Sequence, residues 1–198
     1  MNKYNSIWRY ILGRIRIPDE VINRDEQIIM HISDTPRVIF KALDEIVGVI
    51  QPEYIVHTGD LVDNLKLEIF GGLEGVYLDR VEEIIHIVEK SKIKGFIALG
   101  NHDLDEVISY SDNTLEITKG CHTVSIGDIN VAYDHYYTSD SDADFFLYGH
   151  DDYVSSHRNE LNGIVAINII FLKSKRIIKI DYPWGTYEQR MVKRKIGM

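Results

Sequence analysis

Cysteine is nearly missing from this chain. Cys121 is the single one among 198 residues, so no disulfide can form within the chain, and a reducing, cytoplasmic setting is the simpler expectation. The ordinary role of a lone cysteine, a small buried apolar side chain, is expected of it. Positive charge is also short: Lys and Arg number 22 against 31 Asp and Glu, a formal net charge of −9. That balance argues against a broad electrostatic footprint for nucleic acid or for an anionic membrane surface, though not against a nucleotide held through metal ions. No apolar run approaches the roughly 20 residues of a membrane span. Arg9, Arg14, Arg16 and Asp19 interrupt the N-terminus where a signal peptide would need an apolar stretch. No internal repeat or low-complexity linker is visible. With 44% hydrophobic residues, a soluble chain that buries one substantial core is expected, and its length favours a single domain over residues 1–198. Within it, residues 1–26 read as a helical extension, with an amphipathic helix over Tyr4 to Ile15, and 185–198 as a tail of surface helix or disorder rich in Lys and Arg after Arg190.

What the chain does have is a series of short apolar strands, each ending in polar residues able to do chemistry. The central one is Phe96 to Leu99, after which Gly100 lets the backbone turn tightly and Asn101, His102 and Asp103 emerge together. Upstream, a strand over Gln27 to Ile32 runs into Ser33–Asp34–Thr35–Pro36. Thr35 suits an N-cap and Pro36 a first helical position, ahead of a helix bearing Val38, Ile39, Ala42, Leu43, Ile46, Val47 and Ile50 at helical spacing. Tyr54 to His57 is a second strand, delivering Thr58–Gly59–Asp60–Leu61–Val62–Asp63–Asn64. A glycine-rich bend at Gly71, Gly72 and Gly75 follows, then a helix from about Tyr77 to Ser91 with core face Val81, Ile84, Ile85 and Val88. Strands alternating with helices imply a parallel sheet, whose strand ends open on one edge.

Beyond residue 120 the period changes. Cys121 to Ile126 and Ile129 to Tyr133 read as a hairpin around Gly127–Asp128, and the second strand ends in Asp134–His135. Phe145 to Tyr148 is a further strand ending in Gly149–His150–Asp151–Asp152. Ile164 to Leu172 and Arg176 to Ile180 flank Lys173–Ser174–Lys175 as a closing hairpin.

The ordered blocks Asp34, Gly59–Asp60, Gly100–Asn101–His102–Asp103, His135 and Gly149–His150 resemble the calcineurin-like metallophosphoesterase superfamily, over roughly Ile28 to Asp152. The resemblance implies an α/β (α+β) fold, a four-layer αββα sandwich of two mixed β-sheets flanked by helices. It implies that Asp60 bridges two divalent metal ions. Asn101, His135 and His150 complete the second site and Asp34 belongs to the first, while His102 faces the scissile phosphate as acid or hydrogen-bond donor and Asp63 holds its ring. Two positions depart from the pattern. Pro36 stands where the first motif has His and cannot ligate, and Asp152 replaces the last His of Gly-His-x-His as another possible metal ligand.

Plainer readings stand beside these. Asp34 and Asp60 could be ordinary helix caps, Asp134 could point inward in place of His135, and Asp152 could be part of an exposed acidic loop. His31, His57, His86, His122 and His157 read as structural or solvated. Two cations roughly 3.5–4 Å apart can clamp a phosphate and activate water. A first site built from carboxylate oxygens alone suits Mn²⁺ or Mg²⁺ better than Zn²⁺, with Fe as a further candidate where imidazole contributes. A metal-dependent phosphoesterase acting on a small mono- or diester is therefore expected. The alternative is a weak or inactive member used as an interaction scaffold, as in the retromer subunit of the same superfamily. The loops that would choose the substrate, Leu65 to Gly75 and Ser139 to Asp144, carry no cluster of cations, and oligomeric state leaves no mark in the sequence.

Overall fold

Strands β1 (Ile28–Ile32), β2 (Tyr54–His57) and β3 (Lys94–Leu99) are nearly continuous apolar runs, the pattern of strands covered on both faces. They lie parallel and side by side, with Met30 opposite Ile55 and Val56 opposite Phe96. The computed structural model from which this is read describes residues 15–65, 72–138, 142–150, 153–183, 185–186 and 190. The expected helix over Tyr4 to Ile15 falls almost wholly outside these residues, as do Asp152 and most of the C-terminal tail.

On one edge β4 (Leu115–Lys119) pairs parallel with β3. On the other, β9 (Ile167–Phe171) pairs antiparallel with β1, and β10 (Ile177–Ile180) antiparallel with β9, giving a mixed six-stranded sheet in the order β10-β9-β1-β2-β3-β4. A second mixed sheet holds β5 (His122–Ile126), β6 (Ile129–Tyr133), β7 (Phe145–Tyr148) and β8 (Glu160–Asn162) in that order. Ile126 pairs with Ile129 across the two-residue turn, and Gly127 takes the positive φ of 58° such a hairpin demands.

Alternation in β1 decides the layers. Ile28, Met30 and Ile32 face a core shared with Val21 of the short helix α1 (Asp19–Ile22), Leu43, Ile46 and Val47 of α2 (Phe40–Ile50), and Val81, Ile84 and Val88 of α3 (Glu74–Val88). Ile29 faces the other way, where Val56, Phe96, Ala98 and Ile170 meet Val131, Tyr133, Phe145, Leu147 and Leu161 of the second sheet. Each such side chain removed from water contributes about 1.5–3 kcal/mol before entropy is charged against it. The result is the expected class, two mixed sheets flanked by helices. Among the described residues the helices cover the larger sheet, and the outer face of the smaller one, Ala132, Phe146 and Tyr148, is closed by Tyr137 and Ala143. Among the described residues no helix is long and apolar enough to cross a membrane.

Several local expectations need correction. Thr35 caps no helix: its hydroxyl donates to the Leu61 carbonyl (2.8 Å) and lies 2.9 Å from His57 Nε2, and the chain enters α2 through a 3₁₀ turn at Arg37–Ile39. Val38, assigned to the core face, is 68% exposed because that tighter turn rotates it outward, and Phe40 is buried in its place. Helix α3 begins at Glu74 and ends at Val88, three residues earlier at each end than its apolar stripe suggests. Cys121 is exposed, since it sits with Gly120 in the turn joining β4 to β5 and not in either sheet's inner face. Strands β4 and β8 and the 3₁₀ helix Asp105–Tyr110 were not anticipated.

Candidate metal centre

The ends of β1, β2 and β3 converge with those of β6 and β7. The Asp34 amide donates to the Gly59 carbonyl (2.9 Å) and the Thr35 amide to the Asp60 carbonyl (3.1 Å), tying the first two loops together. The Gly149 amide donates to the His135 carbonyl (3.0 Å) in the smaller sheet. Among the bonds that cross between the sheets, the His150 amide donates to Asp34 Oδ2 at 3.2 Å. The packing leaves no room for a side chain at the glycines of these loops. A Cβ on Gly100 would stand 2.4 Å from the Asp60 amide nitrogen, and one on Gly149 would stand 1.9 Å from Ser33 Oγ. Asp34, Asp60 and His150 all take positive φ, at 48°, 53° and 70°. Each such residue costs about 1–2 kcal/mol, a strain that persists where the surroundings over-determine the backbone.

The side chains gather in two groups. In the first, His135 Nε2 and His150 Nδ1 each stand 3.0 Å from Asn101 Oδ1 and 3.1 Å from one another. His135 Nδ1 lies 2.8 Å from the Thr58 carbonyl, which makes Nδ1 the N–H donor and leaves the lone pair of Nε2 facing Asn101. An amide oxygen and an imidazole lone pair in contact repel one another unless a cation lies between them. Donors about 2.1 Å from a shared ion and at right angles stand about 3.0 Å apart, the spacing seen here. Asp60 Oδ1 lies 3.7 Å from His135 Nε2 and accepts the His102 amide at 3.1 Å, so it faces the same place. His135 is fully buried, while Asp134 accepts the His135 amide and does not turn toward Asn101.

The second group is carboxylate. Asp34, Asp60 and Asp63 are buried, and one oxygen from each falls within 4.8 Å of the others. Burial first and the charge of Asp60 second push the Asp34 carboxyl up to about 7. Buried carboxylates this close call for a cation to offset their repulsion and lost hydration. Both groups thus fit divalent ions, the first with mixed nitrogen and oxygen donors, the second with oxygen alone. Of the expected site residues, Asp34, Asp60 and Asp63 come together, as do Asn101, His135 and His150. His102 contributes its amide and a half-buried side chain on the same loop, Pro36 offers no donor, and Asp152 lies outside the described residues.

Some contributors were not foreseen. Asp103 accepts four hydrogen bonds, from the amides of Asp60 (2.8 Å), Gly100 (2.8 Å) and Leu61 (2.9 Å) and from the Tyr77 hydroxyl (2.8 Å). It therefore ties the β2 and β3 loops to each other. Its place after a tight Gly-Asn-His turn was a usable signal, since a carboxylate there can reach backbone amides. Tyr136, 45% exposed, packs its ring 4.5 Å from that of His150 and 5.0 Å from that of His135. His31 and His57 are buried within strands, and burial holds both down to about 3. His57 accepts the Gly59 amide on Nδ1 (3.1 Å) and His31 Nε2 lies 3.0 Å from Thr58 Oγ1, so both neutral rings brace the framework beneath the loops.

A model of the calcineurin-like phosphoesterase family matches residues 28–186. Among solved structures, an archaeal phosphodiesterase resembles the chain with a TM-score of 0.52 at 18% identity, over 77% of this chain and 98% of its own. Yfce, a phosphoesterase from E. coli, gives a TM-score of 0.45 at 14% identity, over 79% of this chain and 100% of its own. No curated protein matches the sequence.

Proposed function

The chain belongs to the calcineurin-like phosphoesterase family, and from that premise we propose that it hydrolyses small phosphate esters using two divalent cations. The observation that carries the reading is the contact of Asn101 Oδ1, His135 Nε2 and His150 Nδ1 at 3.0–3.1 Å, two imidazoles and an amide oxygen aimed at one point beside Asp60. In this reading Asp60 would be shared by the two ions, Asn101, His135 and His150 would complete the second position, and Asp34 would serve the first. When bound, the cations neutralise phosphate charge and lower the pKa of water, so that in-line attack becomes feasible near neutral pH. The chain's own residues set the geometry. Thr58 fixes the tautomer of His135, the His102 amide holds Asp60, and the His102 ring donates a proton or hydrogen bond to the phosphate oxygens as charge develops. Asp63 has two roles open to it, steadying the His102 ring or adding a third carboxylate where Pro36 supplies none. Metal content of Asp63→Asn separates them. Both sheets contribute ligands, so the chain acts as a single unit, in a cytoplasmic setting that suits its lone, exposed Cys121.

The first position offers only oxygen, which favours Mn²⁺ or Mg²⁺ there over Zn²⁺. The deciding experiment measures bound metal, then hydrolysis of 4-nitrophenyl phosphate and bis(4-nitrophenyl) phosphate across Mn²⁺, Mg²⁺, Fe²⁺ and Zn²⁺ after chelation. Activity strongest with Mn²⁺ is expected, and the ratio of the two esters separates mono- from diester preference. Folded protein that binds metal yet cleaves neither ester supports the scaffold reading, which Pro36 favours.

A further inference from the structure

The function proposed above leaves Arg190, the cation that is buried among the described residues, without a task. Arg190 is 7% exposed, far along the chain from every residue of the metal centre, in a segment whose composition suggests a solvated tail. Its Nε donates to the Asp34 carbonyl (2.7 Å), one terminal nitrogen to the Ser33 carbonyl (2.7 Å), and the other to the Ile164 carbonyl (2.6 Å). The face of the guanidinium rests on the Tyr182 ring, 4.2 Å from its centroid. Tyr182 completes the grip, because its hydroxyl accepts the Ser33 amide (3.2 Å) and donates to the Gly163 carbonyl (2.7 Å). Ser33 is thus held at both its N–H and its C=O, and Asp34 at its C=O, by two side chains of the C-terminal segment.

From this we infer that Arg190 is a positioning residue for the first metal position, its guanidinium fixing the Ser33–Asp34 backbone so that the Asp34 carboxylate points at the ion. The role of the ion rests on the phosphoesterase reading; the grip on the loop does not. The physical need is plain in the backbone. Asp34 sits at φ 48°, a conformation that an L-residue leaves unless it is held, and relaxing φ to negative values would swing its carboxylate out of the cluster with Asp60 and Asp63. Only a planar fork can span two successive carbonyls and reach a third carbonyl on a second loop while stacking on an aromatic face. An ammonium in its place keeps the charge but loses the span.

The test uses the full chain as wild type, Arg190→Ala and Arg190→Lys, with two readouts. Hydrogen–deuterium exchange of metal-free protein reads the loop: residues 33–36 should exchange at least about tenfold faster in Arg190→Ala, the effect of losing one charged hydrogen bond, while the β3 peptide stays as protected as in wild type. Mn²⁺ titration followed by electron paramagnetic resonance reads the site. One of two ions should weaken about 10–100-fold, the range for removing a ligand's supporting partner, while the ion held by Asn101, His135 and His150 keeps its affinity. Millimolar guanidinium should restore part of the lost affinity in Arg190→Ala, which a residue that merely pins the chain end would not show. Unchanged exchange at 33–36 together with unchanged Mn²⁺ binding overturns the inference. If Arg190→Ala does not fold, Arg190→Lys decides by the same readouts. Wild-type protein that takes up no Mn²⁺ refutes the phosphoesterase reading alone, since the exchange experiment still judges the grip on Asp34.

Discussion

Asp103→Asn is the substitution whose effect follows most directly from the geometry. One carboxylate oxygen accepts the amides of Asp60 and Gly100, both at 2.8 Å, and the other accepts the Leu61 amide at 2.9 Å and the Tyr77 hydroxyl at 2.8 Å. A carboxamide has one acceptor oxygen and one NH₂ donor. Its better orientation keeps the oxygen on Asp60 and Gly100 and turns the NH₂ toward Tyr77, whose hydroxyl can rotate and accept, but the Leu61 amide is then left facing another donor. Losing a charge-assisted bond costs about 1.5–3 kcal/mol and orphaning a buried amide about 1–3 kcal/mol. Part of this is offset, because burial and the neighbouring charge of Asp60 hold the Asp103 carboxyl above its usual range and a neutral amide escapes both penalties. The net expectation is a loss of about 2–3 kcal/mol, or roughly 5–10 °C in Tm for a chain of this size. Tyr77→Phe, which removes one donor and leaves the other three, should cost about 1 kcal/mol. Urea unfolding of chelator-treated protein near pH 8 measures both. Asp103→Asn within about 0.5 kcal/mol of wild type, or equal to Tyr77→Phe, would falsify the claim that this carboxylate ties the two loops together.

Gly149→Ala places a methyl 1.9 Å from Ser33 Oγ and 2.7 Å from Asp34 Oδ2; overpacking of about 1–3 kcal/mol and weakened Mn²⁺ binding are expected, and wild-type melting with wild-type affinity would contradict the packing described. His102→Ala should keep fold and metal but lower kcat by about 10²–10⁴-fold, whereas Asp60→Asn should lose metal first; metal content and kcat on the same preparations distinguish them, and full activity in His102→Ala removes His102 from the chemistry. Burial holds His57 down to about 3 against its usual 6.5, so it contributes stability above pH 6.5 that is lost as the pH falls toward 3. The stability gap between wild type and His57→Asn should therefore narrow on acidification by at most about 1.4 kcal/mol per pH unit, and a gap independent of pH speaks against a buried neutral imidazole.

The elements that lead to the candidate metal centre were legible because each couples an apolar strand to a polar loop. Ile28 to Ile32, Tyr54 to His57 and Phe96 to Leu99 are too apolar to be anything but covered strands, and parallel pairing then obliges Asp34, Asp60 and Asn101 to emerge on one edge. His135 and His150 were placed by the same logic in the smaller sheet, and the structure brings them to Asn101. What local pattern could not reveal were choices made by distant partners. Thr35 has the chemistry of a cap, but a buried imidazole and the Leu61 carbonyl compete for its hydroxyl. Arg190 looks like one more tail cation until the carbonyls of Ser33 and Asp34 are known to lie beside it. Three-residue β8 is held by its pairing with β7, not by any periodicity of its own.

The position of β9 has a consequence for how the chain is made. β1 leaves the ribosome long before one of its two neighbours, β9, which pairs Ile170 with Ile29. Throughout that interval β1, apolar along its whole length, presents an unsatisfied edge to any other strand it meets. The contacts that close this edge are separated by most of the chain, so the step is slow relative to the local pairing of β5 with β6. A nascent or truncated chain ending before Ile167 is therefore an aggregation hazard, and the five residues of β9 decide whether β1 finds its proper neighbour.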